Sequence, residues 1–474
     1  MHLTLKSYID QVEKWQLSPK EVVNHYLSKA KQNNSSYNAF ISFTDEYVNQ
    51  NLSSFSDLPL HSAPIWVKDI ILSQNQITTC GSKILENFKP PYSSTAFKNL
   101  EKAWWLTIWK TNMDEFAMGW STESSYFGPS TNIYWENRVP WGSSWWSAIA
   151  VAWDFAIAAL GTDTWWSIRQ PAAFTKIVWI KPTYGRVSRF GVQSMASSLD
   201  QVWVFAKTVE DARILLWAIS WFDPQDSQSD KKADDKNFLQ SSDSQKIKNY
   251  KIAIPKQVFS EWLDPRIEEK FQIMIEKLKS EWYFLSEVDL PVLSYSVPLY
   301  YTLMPAEVST NLARFDGIKF WLQDDTNKFD DISKYYEKVR SEWFGDEVKR
   351  RILLWTFVLS SANYEWYYLR AQRARQKLKS DFNKVFSEYD LILLPTTPDI
   401  PWKIWERIND PVKMYLSDMF TIPANIAGLP AISVPMWMVS DWDELLPTGI
   451  QIMWNRRNEN KILDLAEVIE KLQK

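Results

Sequence analysis

Thr162-Asp163-Thr164-Trp165-Trp166-Ser167-Ile168-Arg169-Gln170-Pro171 is the stretch on which the reading of this chain turns. Two adjacent indoles sit among small, polar, turn-forming residues, surroundings that suit a residue with no side chain. The pattern recurs at Gly142-Ser143-Ser144-Trp145-Trp146-Ser147. The 474 residues include 28 Trp and only 11 Gly. Average usage would give roughly 33 glycines, and the Trp and Gly counts combined come close to that share. We therefore expect nearly all of the tryptophans to be glycine in the natural protein. A UGA codon that some bacteria read as glycine would produce this pattern if translated as tryptophan. UGG codons at these positions would refute the idea.

If this chain does nucleophilic chemistry through a serine, the hydroxyl must lose its proton as it attacks. Histidine is poorly placed to take it. The three histidines, His2, His25 and His61, all fall near the start of the chain. A histidine base and a histidine-rich metal site are therefore both disfavoured. Trp66-Val67-Lys68-Asp69 closes a strand candidate, where a lone lysine is ordinarily a surface charge. At its reference pKa roughly one lysine in 2,500 is neutral at pH 7, so burial must lower it before it can act as a base.

Read with glycine for tryptophan, these three segments resemble the amidase signature family. The motifs become Gly-Gly-Ser-Ser-Gly-Gly-Ser and Thr-Asp-Thr-Gly-Gly-Ser-Ile-Arg-Gln-Pro, with the lysine upstream. Ser143 and Ser167 stand at the separation the family gives its two serines. The resemblance runs from about residue 10 to 470. It implies an α/β amidase signature fold, with a mixed central β-sheet covered by helices on both faces. It implies a Ser–Ser–Lys triad: Ser167 as nucleophile, Ser143 as the bridging serine with a cis peptide bond before it, and Lys68 as base. It also implies an oxyanion hole from the backbone N–H groups of Thr164, Trp165, Trp166 and Ser167.

Within the family, Lys110 to Met118, Lys181 to Ser188, Glu347 to Arg351 and Thr421 to Asn425 resemble the glutamine-hydrolysing subunits of tRNA-dependent amidotransferases. That branch implies glutamine held by Tyr300, Arg351 and Asp418, with Tyr301 and Arg350 as adjacent alternatives. Arginine suits the α-carboxylate because it can bind it bidentately, and Asp418 suits the α-ammonium. The branch further implies a heterotrimer with B and C subunits. Misacylated tRNA, Glu-tRNA(Gln) or Asp-tRNA(Asn), would be bound mainly by the B subunit. No cofactor or metal is implied for this chain, whereas the complex would use ATP and Mg. The alternative is a free-standing amidase of the same family acting on small amides.

The bulk numbers fit this reading. Net charge is −4, from 53 basic and 57 acidic residues, which gives no general pull toward nucleic acid. The single cysteine, Cys80, rules out an intrachain disulfide and fits the cytoplasm. No run of 18 or more uncharged apolar residues suggests a membrane span. One amidase domain is expected over 1–474, with a helical segment at 1–60. Asp223 to Lys246 reads as a polar surface loop. Ser18-Pro19-Lys20-Glu21 reads as a helix start. Strands are expected at Ala63–Val67, Leu106–Trp109, Lys251–Ile254, Leu391–Leu394, Ala431–Val434 and Gly449–Met453. Helices are expected at Ser147–Leu160, Val209–Ile219, Tyr364–Phe386 and Glu459–Leu472.

Overall fold

The structure, a computed structural model, describes residues 1–474 except 44–45, 51–60, 104, 120–122, 131–137, 139–141, 165–168, 234–246, 321, 323–328, 404–405, 407–409 and 474. Its spine is a mixed sheet of eleven strands. These are β1 (Phe40–Phe43), β2 (Ala63–Lys68), β3 (Trp105–Thr111), β4 (Ala158–Asp163), β5 (Val178–Lys181) and β6 (Gln201–Ala206), followed by β7 (Lys251–Pro255), β8 (Phe284–Val288), β9 (Leu391–Pro395), β10 (Ala431–Asp441) and β11 (Glu444–Trp454). Their order is β1-β3-β2-β4-β6-β5-β10-β11-β9-β7-β8.

The third and fourth strands of that order, β2 and β4, set the functional geometry. β2 and β4 are buried along their whole length and pair in parallel, Ile65 opposite Ala158 and Val67 opposite Leu160. Parallel strands buried on both faces are apolar throughout, and these two carry polar residues only toward their carboxyl ends. That end is where open α/β sheets bind ligands. Here it sets Lys68, the last residue of β2, beside the end of β4. Asp163 closes β4 and leads directly into Thr164 and the segment 165–168.

The expected strands all form. So do the helices Val209–Ile219 and Glu459–Leu472 at their expected bounds, and a helix begins at Pro19 with Ser18 at its N-cap position, though the serine hydroxyl makes no capping hydrogen bond. The expected helix Tyr364–Phe386 forms as a π-helical turn, Glu365–Leu369, running into the helix Arg370–Glu388. The helical reading of 1–60 holds for Leu5–Glu13 and Pro19–Tyr37, after which the chain enters β1. Ser147–Leu160 differs. The helix spans Trp145–Ala152 and stops, Asp154 takes a left-handed conformation (φ 58°), and the remaining apolar residues become β4. A short apolar run cannot distinguish a buried helix from a buried strand by periodicity. Of the polar stretch 223–246, only 223–233 is described. Its acids are held rather than solvated: Asp226 is buried against Arg189, and Asp230 against Arg457.

Three tryptophans occupy positions that ordinarily call for glycine. Trp15 follows the helix Leu5–Glu13, and Trp282 follows the helix Pro265–Ser280. Both have positive φ, 57° and 69°. Each helix end closes with the paired hydrogen bonds of a Schellman motif. Gln16 N–H donates to the Gln11 carbonyl at 2.8 Å, and Tyr283 N–H to the Leu278 carbonyl at 3.1 Å. Glycine is the usual residue there because a Cβ is strained at that φ. Trp442 (φ 54°) sits in the two-residue turn of the β10–β11 hairpin, where Asp441 pairs with Glu444. Such turns also require positive φ. The three side chains are 95%, 84% and 93% exposed, so packing does not offset the strain. Trp15→Gly, Trp282→Gly and Trp442→Gly should each stabilise the fold by about 1 kcal/mol. Urea denaturation reads this, and unchanged or lowered midpoints would count against it.

Candidate active site

Lys68 is fully buried. Its Nζ donates to Ser143 Oγ and Ser144 Oγ, each at 2.7 Å, and reaches the Thr162 carbonyl at 3.4 Å. Ser144 Oγ in turn donates to that carbonyl at 2.8 Å. The two hydroxyls arrive from the turn that opens the helix Trp145–Ala152, where Gly142 adopts φ 89°. Every peptide bond among the described residues is trans, including the one before Ser143. The expected cis bond is therefore absent, and the positive φ of Gly142 makes the turn instead. Burial lowers Lys68 to about 7, opposed by the negative charges of Asp114, Asp163 and Asp200. A lysine in that range is neutral in part near pH 7.

Ser167, Trp165 and Trp166 lie outside the described residues, but both ends of their segment are held. On one side Thr164 is buried, and its hydroxyl donates to Asp200 Oδ1 at 2.7 Å. Asp200 Oδ2 accepts the N–H groups of Met195 and Ala196 at 2.8 and 2.9 Å. Burial raises Asp200 to about 6 against these hydrogen bonds. On the other side Arg169 is fully buried, ion-paired with Asp163 at 3.3 Å. It also donates to Gln451 Oε1 at 3.2 Å, to the Thr421 carbonyl and to Asn425 Oδ1. Burial lowers Arg169 to about 10, with Asp163 opposing.

The expected glutamine-binding residues come together around the same segment. Tyr300 lies fully buried on the helix Val292–Leu312. Burial raises its phenol, and its hydroxyl feels Tyr301, then Arg351 and Asp418. Arg351 lies on the helix Asp346–Val358 and is nearly buried, its Nε donating to Glu347 Oε1 at 2.7 Å. Arg350 points outward, its side chain 70% exposed and paired with Glu347. The Tyr301 ring, less buried, packs 4.4 Å from that of Tyr415. Asp418 is fully buried, and burial raises its carboxyl well above the usual range, against the charge of Arg169 and a hydrogen bond from Gln170. Gln170 Nε2 donates to Asp418 Oδ1 at 2.6 Å and to the Ser417 carbonyl at 2.7 Å. Asp114 feels both Lys68 and Arg351.

Ser144, Asp200 and Gln170 were not singled out from the sequence. The Ser143-Ser144 doublet held the only signal, and it could not say that both hydroxyls reach one lysine. Among the described residues, no group of three or more His, Cys, Asp or Glu is arranged to hold a metal. No described helix is long and apolar enough to cross a membrane. The buried Arg169–Asp163 pair is the firmest anchor of the site. Arg169→Leu would take the arginine away from the buried Asp163 carboxylate, and should cost about 3–5 kcal/mol. A loss below 1 kcal/mol on chemical denaturation would show the pair is dispensable.

Comparison with known proteins places this geometry. The family model described as Amidase matches residues 21–463. The A subunit of glutamyl-tRNA(Gln) amidotransferase from Halothermothrix orenii is 43% identical over 99% of this chain and 96% of its own length. The protein of the same name from Sulfurihydrogenibium sp. is 41% identical, over 99% of this chain and 97% of its own. The crystal structure of the corresponding A subunit from Thermotoga maritima, also of glutamyl-tRNA(Gln) amidotransferase, superposes with a TM-score of 0.78 at 35% identity. It covers 99% of this chain and 94% of its own.

Proposed function

Because this chain belongs to the amidase family, we propose that it hydrolyses glutamine as the A subunit of a tRNA-dependent amidotransferase. Ser167 Oγ attacks the side-chain carbonyl carbon of glutamine, and its proton passes through Ser143 to Lys68. The developing oxyanion is held by backbone N–H groups of Thr164, Trp165, Trp166 and Ser167, one such donor being typically worth about 3 kcal/mol of barrier. The C–N bond then breaks, and the leaving ammonia takes the proton back along the same path. Water hydrolyses the glutamyl ester on Ser167. Arg351 and Tyr300 take the α-carboxylate and Asp418 the α-ammonium.

The observation that carries this reading is a fully buried Lys68, lowered to about 7, with Ser143 Oγ 2.7 Å from its Nζ. The cluster of Tyr300, Arg351 and Asp418 supports glutamine over a simple amide. B and C subunits complete a cytoplasmic heterotrimer, misacylated tRNA binds mainly through B, and ATP and Mg serve the complex. The partner selects Glu-tRNA(Gln), Asp-tRNA(Asn) or both. Ser167→Ala should lower glutamine hydrolysis by a factor on the order of 10⁴ or more, while the assembled complex still transamidates with free ammonia. Loss of both activities would mean that Ser167 is structural.

We further infer that the functional polypeptide carries glycine at most of the tryptophan positions. Two independent observations support this. Trp15, Trp282 and Trp442 are exposed in the left-handed region. Trp105, Trp145, Trp146, Trp179 and Trp203 are fully buried, and their indole N–H groups have no hydrogen-bond partner among the described residues. A buried indole N–H ordinarily finds a partner, and each orphan costs about 1–3 kcal/mol. Trp145 and Trp146 open the helix beside Ser143 and Ser144, so the cost falls on the site itself. The form with glycine at Trp141, Trp145, Trp146, Trp165 and Trp166 should hydrolyse glutamine and the tryptophan form should not. Equal rates, or UGG codons at these positions, would overturn the inference.

A further inference from the structure

Gln170 is buried, one residue beyond the Arg169 anchor, and reaches across to the Ser417–Asp418 backbone and side chain. Its amide orientation is fixed by chemistry. The Ser417 carbonyl and the Asp418 carboxylate are both acceptors, so Nε2, the only donor in the group, must face them. Gln170 Oε1 is therefore turned away. That leaves two buried acceptors beside one contact, Gln170 Oε1 and Asp418 Oδ2, neither with a hydrogen-bond partner among the described residues.

Buried acceptors are ordinarily satisfied. Two of them flanking a single hydrogen bond, one on a carboxylate, call for a ligand group that donates several hydrogen bonds and carries positive charge. An alkylammonium has three donors and no acceptor; a hydroxyl has a single donor, and a carboxamide, with two, lacks the charge and brings an acceptor of its own. We infer that Gln170 is a specificity-determining residue. It turns Asp418 so that Oδ2 and its own Oε1 together receive the α-ammonium of the substrate. The inference rests on the reading of the chain as a glutaminase and adds to it the residue that separates α-amino acid amides from plain amides.

The position of Gln170 gives this selection a direct link to chemistry. It lies three residues after Ser167, on the helix Arg169–Thr175. Asp418 lies on the far side, just before the helix Ile422–Ala427 whose Asn425 accepts from Arg169. The ammonium would thus be read by the same short piece of backbone that carries the nucleophile. A site built to hydrogen-bond a substrate group strongly rejects analogues lacking that group, because its own polar atoms are then left buried and unpaired.

The test uses the full-length form that hydrolyses glutamine, with Gln170→Leu and the near-isosteric Gln170→Met. Each is assayed on glutamine and on 4-carbamoylbutanoate, which keeps the carboxylate and the amide but lacks the α-amine. Both variants should lose roughly 10- to 100-fold in kcat/KM for glutamine, mainly through KM. Hydrolysis of 4-carbamoylbutanoate should change by less than about threefold. A merely structural role would depress both substrates equally, and that result overturns the inference. So does an unchanged preference for glutamine in either variant. If no form hydrolyses glutamine while plain amides are cleaved, the functional reading falls, and this one with it.

Discussion

The burial of one ammonium group organises the rest of this molecule. Lys68 ends β2, a strand with no exposed face, third from one edge of an eleven-stranded sheet. Leaving a charge there without partners would cost several kcal/mol. The fold meets that cost in two ways. Hydroxyls from Ser143 and Ser144 and the Thr162 carbonyl surround the nitrogen, and burial draws its pKa toward 7 so that much of the charge can be shed. Asp114, Asp163 and Asp200 keep the shift from going further. A lysine tuned this way can serve as a base without a histidine.

The carboxylates that temper Lys68 are themselves structural. Asp163 pairs with Arg169, and Asp200 holds Thr164. The segment 165–168 is therefore pinned at both ends by groups whose charges also act on the lysine. A catalytic constellation needs its reacting groups held to within a fraction of an ångström, and a loop tethered only by its own backbone would not provide that. Arg169 extends the same frame to Thr421, Asn425 and Gln451, and Gln170 extends it to Asp418. Substrate recognition and nucleophile placement thus share one buried polar network.

Much of this was legible in the sequence, and the failures have physical causes. Strands β2, β9, β10 and β11 were readable because they are apolar, bounded by turns and about the length of strands. Lys68, Ser143, Tyr300, Arg351 and Asp418 came from motifs; the structure sets Ser143 against Lys68 and brings the charges of Arg351 and Asp418 to act on Tyr300, while Ser167 itself falls outside the described residues. The run Ser147–Leu160 misled because alanine and isoleucine serve a buried strand as readily as a buried helix, and only the left-handed Asp154 marks the change. The bond before Ser143 misled because the same reversal can be made by a glycine at positive φ. Gln170, Asp200 and Ser144 stayed hidden because their partners lie elsewhere in the fold. Asp200 and Thr164 meet across a helix and a strand, and Gln170 and Asp418 meet across most of the carboxyl-terminal half.

The tryptophans show which parts of a sequence specify a fold and which merely permit it. An indole standing in for a small residue in an apolar strand would leave the hydrophobic pattern intact. What glycine supplies is permission: a positive φ at no steric cost, and backbone that others may approach closely. Those services appear in no hydropathy profile. They surface only where the backbone demands them, at the two Schellman ends and the β10–β11 turn, or where the added ring brings a polar atom that the core cannot satisfy. Trp145 and Trp146 meet the second condition beside the paired serines. Close backbone approach is also what an oxyanion hole requires. The positions that tell least about the fold are therefore the ones that bear most on the chemistry.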